Sequence, residues 1–347
     1  MISQPILVPW NRQCIGGSLR ALLAFLPLPA HGRTQSVLDP QGPDAQQIAV
    51  MSWILFAEGG LIFLIVMALA AYALFASPHR RTKLGRRDLI IGGGILFPVI
   101  VLSALLIYSL TITDAIVGEG EPPALRIEVV GEQWWWRVHY LDKNGRAELV
   151  TANEVHIPLG QPVELSLKSA DVIHSFWVPN LAGKVDMVPG HTNMLHLTAK
   201  QPGVFRGQCA EYCGGPHALM AFYFVVQIPE AFAAWFAAER RQAVVPRAPF
   251  LRQGQTSFLS KACGQKECCV DCHTIRGTPA EDKDGPDLTH VGSRRSIAAG
   301  ALPNNIGTLA GWIADSQHLK PENRMPSFGI YSGEELRALA AYLESLK

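Results

Sequence analysis

The stretch Gly207-Gln208-Cys209-Ala210-Glu211-Tyr212-Cys213-Gly214-Gly215-Pro216-His217-Ala218-Leu219-Met220 decides how the chain is read. Cys209 and Cys213 lie four apart, His217 four further on and Met220 three beyond, so one tight loop presents all four. His174 adds a second imidazole from a separate strand and would tie the loop to the rest of the fold. Two thiolates, two imidazoles and a thioether form a soft nitrogen–sulfur set, suited to copper rather than to calcium or magnesium. A mononuclear copper site needs one cysteine. The second lets both sulfurs bridge two copper ions, and such a shared site accepts an electron with little change of geometry. The competing reading of Cys209 and Cys213 is a disulfide, natural in an oxidising compartment. The two histidines and Met220 weigh against it.

Around this loop the sequence alternates in short runs. Positions 125–130, 134–140, 163–167, 194–197 and 222–228 read as strands, separated by the turn formers Lys143-Asn144-Gly145, Leu159-Gly160 and Pro189-Gly190. That spacing predicts a β-sandwich or barrel of about 100 residues, over 123–228. Helix and linker follow over 229–249. Residues 229–241 are alanine-rich with Phe232, Trp235 and Phe236 on one side, and 243–249 carry two prolines.

Towards the N-terminus the pattern becomes continuous. Residues 51–76 are nearly all apolar, with Glu58 the only charge, and 89–110 are apolar throughout, with Pro98 inside. Each run covers the roughly 20 helical residues that a hydrocarbon core requires, so 45–115 is expected to be a two-span anchor. Arg80, Arg81, Lys83, Arg86 and Arg87 mark the connecting loop as cytoplasmic and everything after the second span as outside. Glu58 is shallow, which favours an interfacial position or a partner helix over a proton path. Arg12 and Arg20 precede a short apolar stretch, 21–28, and 1–34 reads as a signal peptide, with an uncleaved tail as the alternative. The chain has 347 residues, room for two or three domains, and a net charge of +1, which argues against nucleic acid as partner.

The last hundred residues centre on Cys269-Val270-Asp271-Cys272-His273, the signature for covalent haem c attachment. Two thioethers would fix the porphyrin edge and His273 would be the proximal iron ligand. A chance match or a redox dithiol is the alternative. Met325, about fifty residues on, can supply the second axial ligand, and a Met/His pair raises the potential. Ser332-Gly333-Glu334-Glu335 is a capping-type helix start, followed by an apolar stripe of Leu336, Leu339, Leu343 and Leu346. Of seven cysteines, Cys263 and Cys268 are left to form a small disulfide, with an extra metal site as the alternative; Cys14 receives no function.

His174-Ser175-Phe176-Trp177-Val178-Pro179, Lys184-Val185-Asp186-Met187-Val188-Pro189-Gly190 and Gly207 to Gly214 closely resemble subunit II of haem–copper cytochrome c oxidases, over about residues 40–235. Gly285-Pro286-Asp287-Leu288 and Trp312 resemble class I cytochromes c. The resemblance implies a cupredoxin fold with a dinuclear copper A centre of two copper ions. It assigns His174, Cys209, Cys213, His217 and Met220 as side-chain ligands. Glu211 would give its backbone carbonyl to copper and its carboxylate to a magnesium at the junction with subunit I. Gly131-Glu132-Gln133-Trp134-Trp135-Trp136 matches the family's aromatic stretch, which implies Trp134 as the point of electron entry; lipid-interface anchoring is the alternative for these rings.

Some positions depart from the family. Trp135 replaces Tyr. Arg137 and His139 stand where acids often dock a basic cytochrome, a loss that fits a covalently attached donor. His191 replaces Arg, and the second span lacks the usual acid before Pro98, although Asp88 is near.

The expected architecture is multidomain α and β: a two-helix transmembrane hairpin, a cupredoxin-like β-barrel (123–228) and a small all-α class I cytochrome c domain (250–347). The expected role is that of an electron-transfer subunit in a bacterial inner membrane, with the copper and haem domains on the periplasmic face. It would pass electrons from an external donor through haem c and copper A to the oxygen-reducing subunit I, with subunit III and membrane lipid as further partners. Oxygen reduction and proton translocation belong to subunit I. The rival readings are a copper A subunit of another reductase, such as nitric oxide reductase, and a membrane-tethered copper carrier.

Overall fold

The computed structural model describes residues 35–347 apart from 83, 118–121 and 263–266. The signal-peptide reading of 1–34, with Cys14, and the pairing assigned to Cys263 lie outside the described residues.

The first helix, α1 (Pro43–Phe75), opens with proline, whose missing N–H costs nothing in a first turn. It starts eight residues before the apolar run because its first turns lean on the barrel rather than on lipid. Ala45 and Ala49 are buried, and a Cβ on Gly42 would sit 2.4 Å from the Leu181 carbonyl oxygen. The second helix runs from Arg87–Ile91 through a widened π turn, Gly92–Leu96, into α2 (Phe97–Val117). Pro98 explains the widening: its ring presses on the carbonyl four residues back, and the Gly92-Gly93-Gly94 run lets the turn open. Both helices are long and apolar enough to cross a membrane, and their apolar side chains face outwards.

Ten strands follow, namely β1 (Leu125–Glu132), β2 (Trp135–Leu141), β3 (Ala147–Ala152), β4 (Glu154–Pro158), β5 (Val163–Ser169), β6 (His174–Trp177), β7 (Val185–Met187), β8 (Asn193–Leu197), β9 (Gly203–Cys209) and β10 (Ala221–Gln227). They form two five-stranded sheets, ordered β3-β2-β1-β5-β8 and β4-β10-β9-β6-β7, with β1/β5 and β4/β10 parallel and the other pairs antiparallel. Side chains on β1 and β2 alternate between solvent and core, so Ile127, Val129, Trp136, Val138 and Tyr140 all point inward. Trp136 meets Phe222 edge-on at 5.0 Å, and Phe222 stacks on Phe176 at 4.6 Å. Phe222 lies directly across from Gly207, where a Cβ would stand 2.1 Å from its ring.

Five strands escaped the alternation pattern. Every residue of β4 is buried, so it has no polar face to reveal it, and β6 and β7 are only four and three residues long.

Helix α3 (Pro229–Glu239) lays Phe232, Trp235 and Phe236 on the barrel, and Trp235 stacks flat on His156 at 3.9 Å. Beyond it come α4 (Pro249–Leu259), α5 (Ile306–Ala314) and α6 (Gly333–Ser345). This part is not wholly helical, since Ser296–Ile297 pairs with Leu302–Pro303 in a short ribbon. Ser332 caps α6: its hydroxyl accepts from the Glu335 N–H at 3.3 Å, while the Glu335 carboxylate accepts from the Ser332 N–H at 2.8 Å. Leu339, Leu343 and Leu346 are buried with Phe258 and Ile313.

Candidate metal centre and cofactor crevice

The ligand candidates converge because strand pairing puts them at one end of the barrel. Phe176 on β6 sits opposite Cys209 on β9, and the Cys209 N–H donates to the Met220 carbonyl at 2.9 Å, closing the loop between β9 and β10. The Cys209 and Cys213 sulfurs are 3.7 Å apart, and both stand as free thiols in this structure. His174 Nδ1 is 3.8 Å from the Cys209 sulfur; His217 Nδ1 is 3.5 Å, and the Met220 sulfur 3.8 Å, from the Cys213 sulfur. The Glu211 backbone carbonyl lies 3.1 Å from the Cys209 sulfur. The donor atoms of His174, Cys209 and Cys213 all fall within 4.8 Å of one another, among buried residues. Two central sulfurs flanked by two imidazoles, a thioether and a carbonyl fit a pair of bridged copper ions.

The sequence reading missed Asp171. Its carboxylate oxygen Oδ1 is 2.9 Å from His174 Nε2, which leaves Nδ1 facing the sulfur, and its other oxygen accepts from the Gln133 N–H at 2.7 Å. Burial disfavours the His174 imidazolium, but Asp171 and Cys209 together outweigh it and raise its pKa. Contact with the Cys213 thiol, above all, pulls Cys209 down to about 3, and the same contact with burial pushes Cys213 upward. Metal binding at these sulfurs is therefore linked to proton release.

The second site is a crevice of about 260 Å³ that Cys269, Cys272, His273, Trp312 and Met325 all line. Cys269 and Cys272 are free thiols, both held up to about 11, chiefly by burial. His273 Nδ1 is 2.8 Å from the Pro286 carbonyl, which orients the other ring nitrogen for a metal. Gly285 is required beside it, since a Cβ there would be 2.7 Å from the imidazole. Two residues that line this space, Arg294 and Ser296, each keep one buried polar atom, Nε and Oγ, without a hydrogen-bond partner among the described residues. They suit the carboxylates of a porphyrin, so the lining, with its Cys pair, His273, Met325 and unsatisfied polar atoms, fits a haem by its chemistry. Arg294 and Ser296 carry no sequence signal of their own.

Trp134 and Trp135 of the barrel also line this crevice. The Trp134 indole N–H donates to the Cys213 carbonyl at 2.9 Å, and its ring packs so closely on Gly214 that a Cβ there would be 2.8 Å away. Arg137 pairs with Glu132 at 2.5 Å and donates to the Lys283 carbonyl at 2.8 Å, so it links the barrel to the C-terminal unit. His139, the other departure, is 3.0 Å from Glu128. Cys268 is disulfide-bonded.

Residues 141–228 match the family described as cytochrome c oxidase subunit II, periplasmic domain, and 252–347 match the family described as cytochrome c. The cytochrome c oxidase subunit 2 of Alkalihalophilus pseudofirmus is 36% identical over 332 residues, covering 90% of this chain and 91% of that protein. The protein of the same name from Bacillus sp. (strain PS3) is 32% identical over 232 residues, covering 64% and 62% respectively. Among solved structures, the periplasmic domain of subunit II of cytochrome oxidase from Bradyrhizobium japonicum is 30% identical. It covers 34% of this chain and 95% of that one, with a TM-score of 0.32.

Proposed function

The chain belongs to the cytochrome c oxidase subunit II family, with a C-terminal cytochrome c domain, and on that premise we propose how its residues carry electrons through a haem–copper oxidase. The dinuclear copper A and haem c supply the one-electron chemistry. Cys209 and Cys213 would hold the coppers, with His174, His217, Met220 and the Glu211 carbonyl as the other donors. Cys269 and Cys272 would attach the haem through their sulfurs, and His273 and Met325 would hold its iron.

Trp134 is the connection. Its ring lines the haem crevice while its indole N–H is bonded to the backbone of Cys213, so one side chain touches both cofactor environments. That observation carries the reading. With both centres filled, Trp134 would carry electrons from the haem, reduced by an external donor, towards copper A and on to subunit I, where oxygen would be reduced. The Glu211 carboxylate is left to hold magnesium at the subunit I junction. The two apolar helices anchor the chain in a bacterial inner membrane, between lipid and subunits I and III. Their basic connection is cytoplasmic and both cofactor domains are periplasmic.

Trp134→Phe removes the indole N–H and keeps most of the packing. Haem-to-copper transfer, followed optically after rapid haem reduction, is expected to slow while both cofactor spectra stay intact. An unchanged transfer rate removes Trp134 from the path.

A further inference from the structure

Lys320 comes from the cytochrome part of the chain but is 2% exposed, and its ammonium lies against the barrel. It donates to the carbonyls of Trp134 at 2.7 Å, Leu219 at 2.9 Å and Ala298 at 3.2 Å. Two of those acceptors belong to the copper domain, and Leu219 immediately precedes Met220. The third belongs to the loop where Ala298 and Ala299 adopt positive φ and the Ala299 carbonyl accepts from the Ala221 N–H at 2.8 Å. Among the described residues no carboxylate pairs with Lys320, and burial pulls its pKa down to about 7. Burying an ammonium is costly unless its hydrogen bonds are fully made, and three carbonyls from three segments make them here.

The same lysine begins the span that ends at Met325. Asn323 ties the span together: its side-chain N–H donates to the Lys320 carbonyl at 2.6 Å, and its side-chain oxygen accepts from the Met325 N–H at 2.8 Å. Ser316 and Gln317 hold the Met325 carbonyl at 2.7 and 2.8 Å. In the middle, Glu322 presses on the copper loop, where a Cβ on Gly215 would lie 2.7 Å from its carboxylate. A displacement at Lys320 is therefore passed through short bonds to Met325 on one side and to Trp134 and the residue before Met220 on the other.

We propose that Lys320 is a positioning residue for electron transfer: its three carbonyl bonds hold the Lys320–Met325 span against Trp134 and the copper loop, and so set the spacing of the two centres. This rests on the reading of Trp134 and Met325 given above. Lys320 touches neither cofactor and acts through those residues.

The test uses the assembled oxidase carrying Lys320→Met, with Lys320→Gln as a second variant that keeps two donors without the charge. Haem-to-copper transfer is expected to slow measurably, because electron transfer between two centres weakens as their separation grows. Haem reduction by the external donor and the optical spectra of both centres should stay as in the parent, which a general loss of structure would not permit. Lys320→Gln should lie between the parent and Lys320→Met. Parent-like transfer in either assembled variant overturns the proposal. So does failure of both to assemble, because Lys320 would then serve the fold rather than the spacing. A slow Trp134→Phe beside a parent-like Lys320→Met defeats this proposal and leaves the route standing. A parent-like Trp134→Phe defeats the route itself.

Discussion

The residues that matter most at the copper loop were recognisable by type, whereas the residues that aim them were not. Cys209, Cys213, His217 and Met220 announce themselves by spacing, because a thiol or thioether in that density has few uses besides metal binding or a disulfide. Asp171 offers no such signal: a carboxylate in a turn is ordinary until the fold puts it 2.9 Å from His174 Nε2. Asp171→Asn keeps the shape but replaces the anion that fixes the imidazole. It is expected to weaken copper retention by about 10- to 100-fold, the usual range for an outer partner of a metal-bound histidine. Competition with a copper chelator measures it, and parent-like retention would show that Asp171 only shapes the turn. Lys320 hid for the opposite reason. Lysine is mostly exposed, so the sequence offered no ground for burying this one.

Among the elements, the helices were easier to read than the strands. Ser332 and Glu335 signalled the start of α6 because a capping box is local, made of residues three apart. The buried stripe of α6 meets α4 at Gly254, where a Cβ would come within 2.0 Å of the Ala338 carbonyl and 2.8 Å of Tyr342. Backbone cannot yield as a flexible side chain can. Gly254→Ala is therefore expected to cost the cytochrome unit about 1–3 kcal/mol, as overpacking usually does, read from denaturant unfolding followed at the haem band. No loss would mean that the two helices separate freely. The strands β4, β6 and β7 were unreadable because burial on both faces, or a length of three or four residues, erases the two-residue period on which recognition depends.

At the scale of the whole molecule, the cofactor crevice is the feature that joins barrel to cytochrome. It runs through the middle of the C-terminal core, with Leu339 and Leu343 on one wall and the barrel's Trp134 and Trp135 on another. A haem held there would be both cofactor and core. Replacing Cys269 and Cys272 together by Ser removes the two thiols proposed to attach the haem and would leave this cavity to collapse or fill with water. Residues 250–347 should then become sensitive to limited proteolysis, while the barrel, with its own continuous core, resists cleavage and still binds two coppers. Equal resistance of both parts would show that the cytochrome unit folds without its haem.

Sequence alone determined the parts list: two apolar helices, a barrel carrying a soft donor set, and a haem-attachment motif with Met325 to complete it. Each rests on short-range chemistry, where spacing along the chain stands in for distance in space. Only the tertiary structure decided how the parts meet. Trp134 at the shared wall, Asp171 behind His174, Arg294 and Ser296 lining the crevice, and Lys320 under the copper loop are all long-range placements. They follow from which surfaces the packing of one unit on the other removes from water, and no local period in the chain records that.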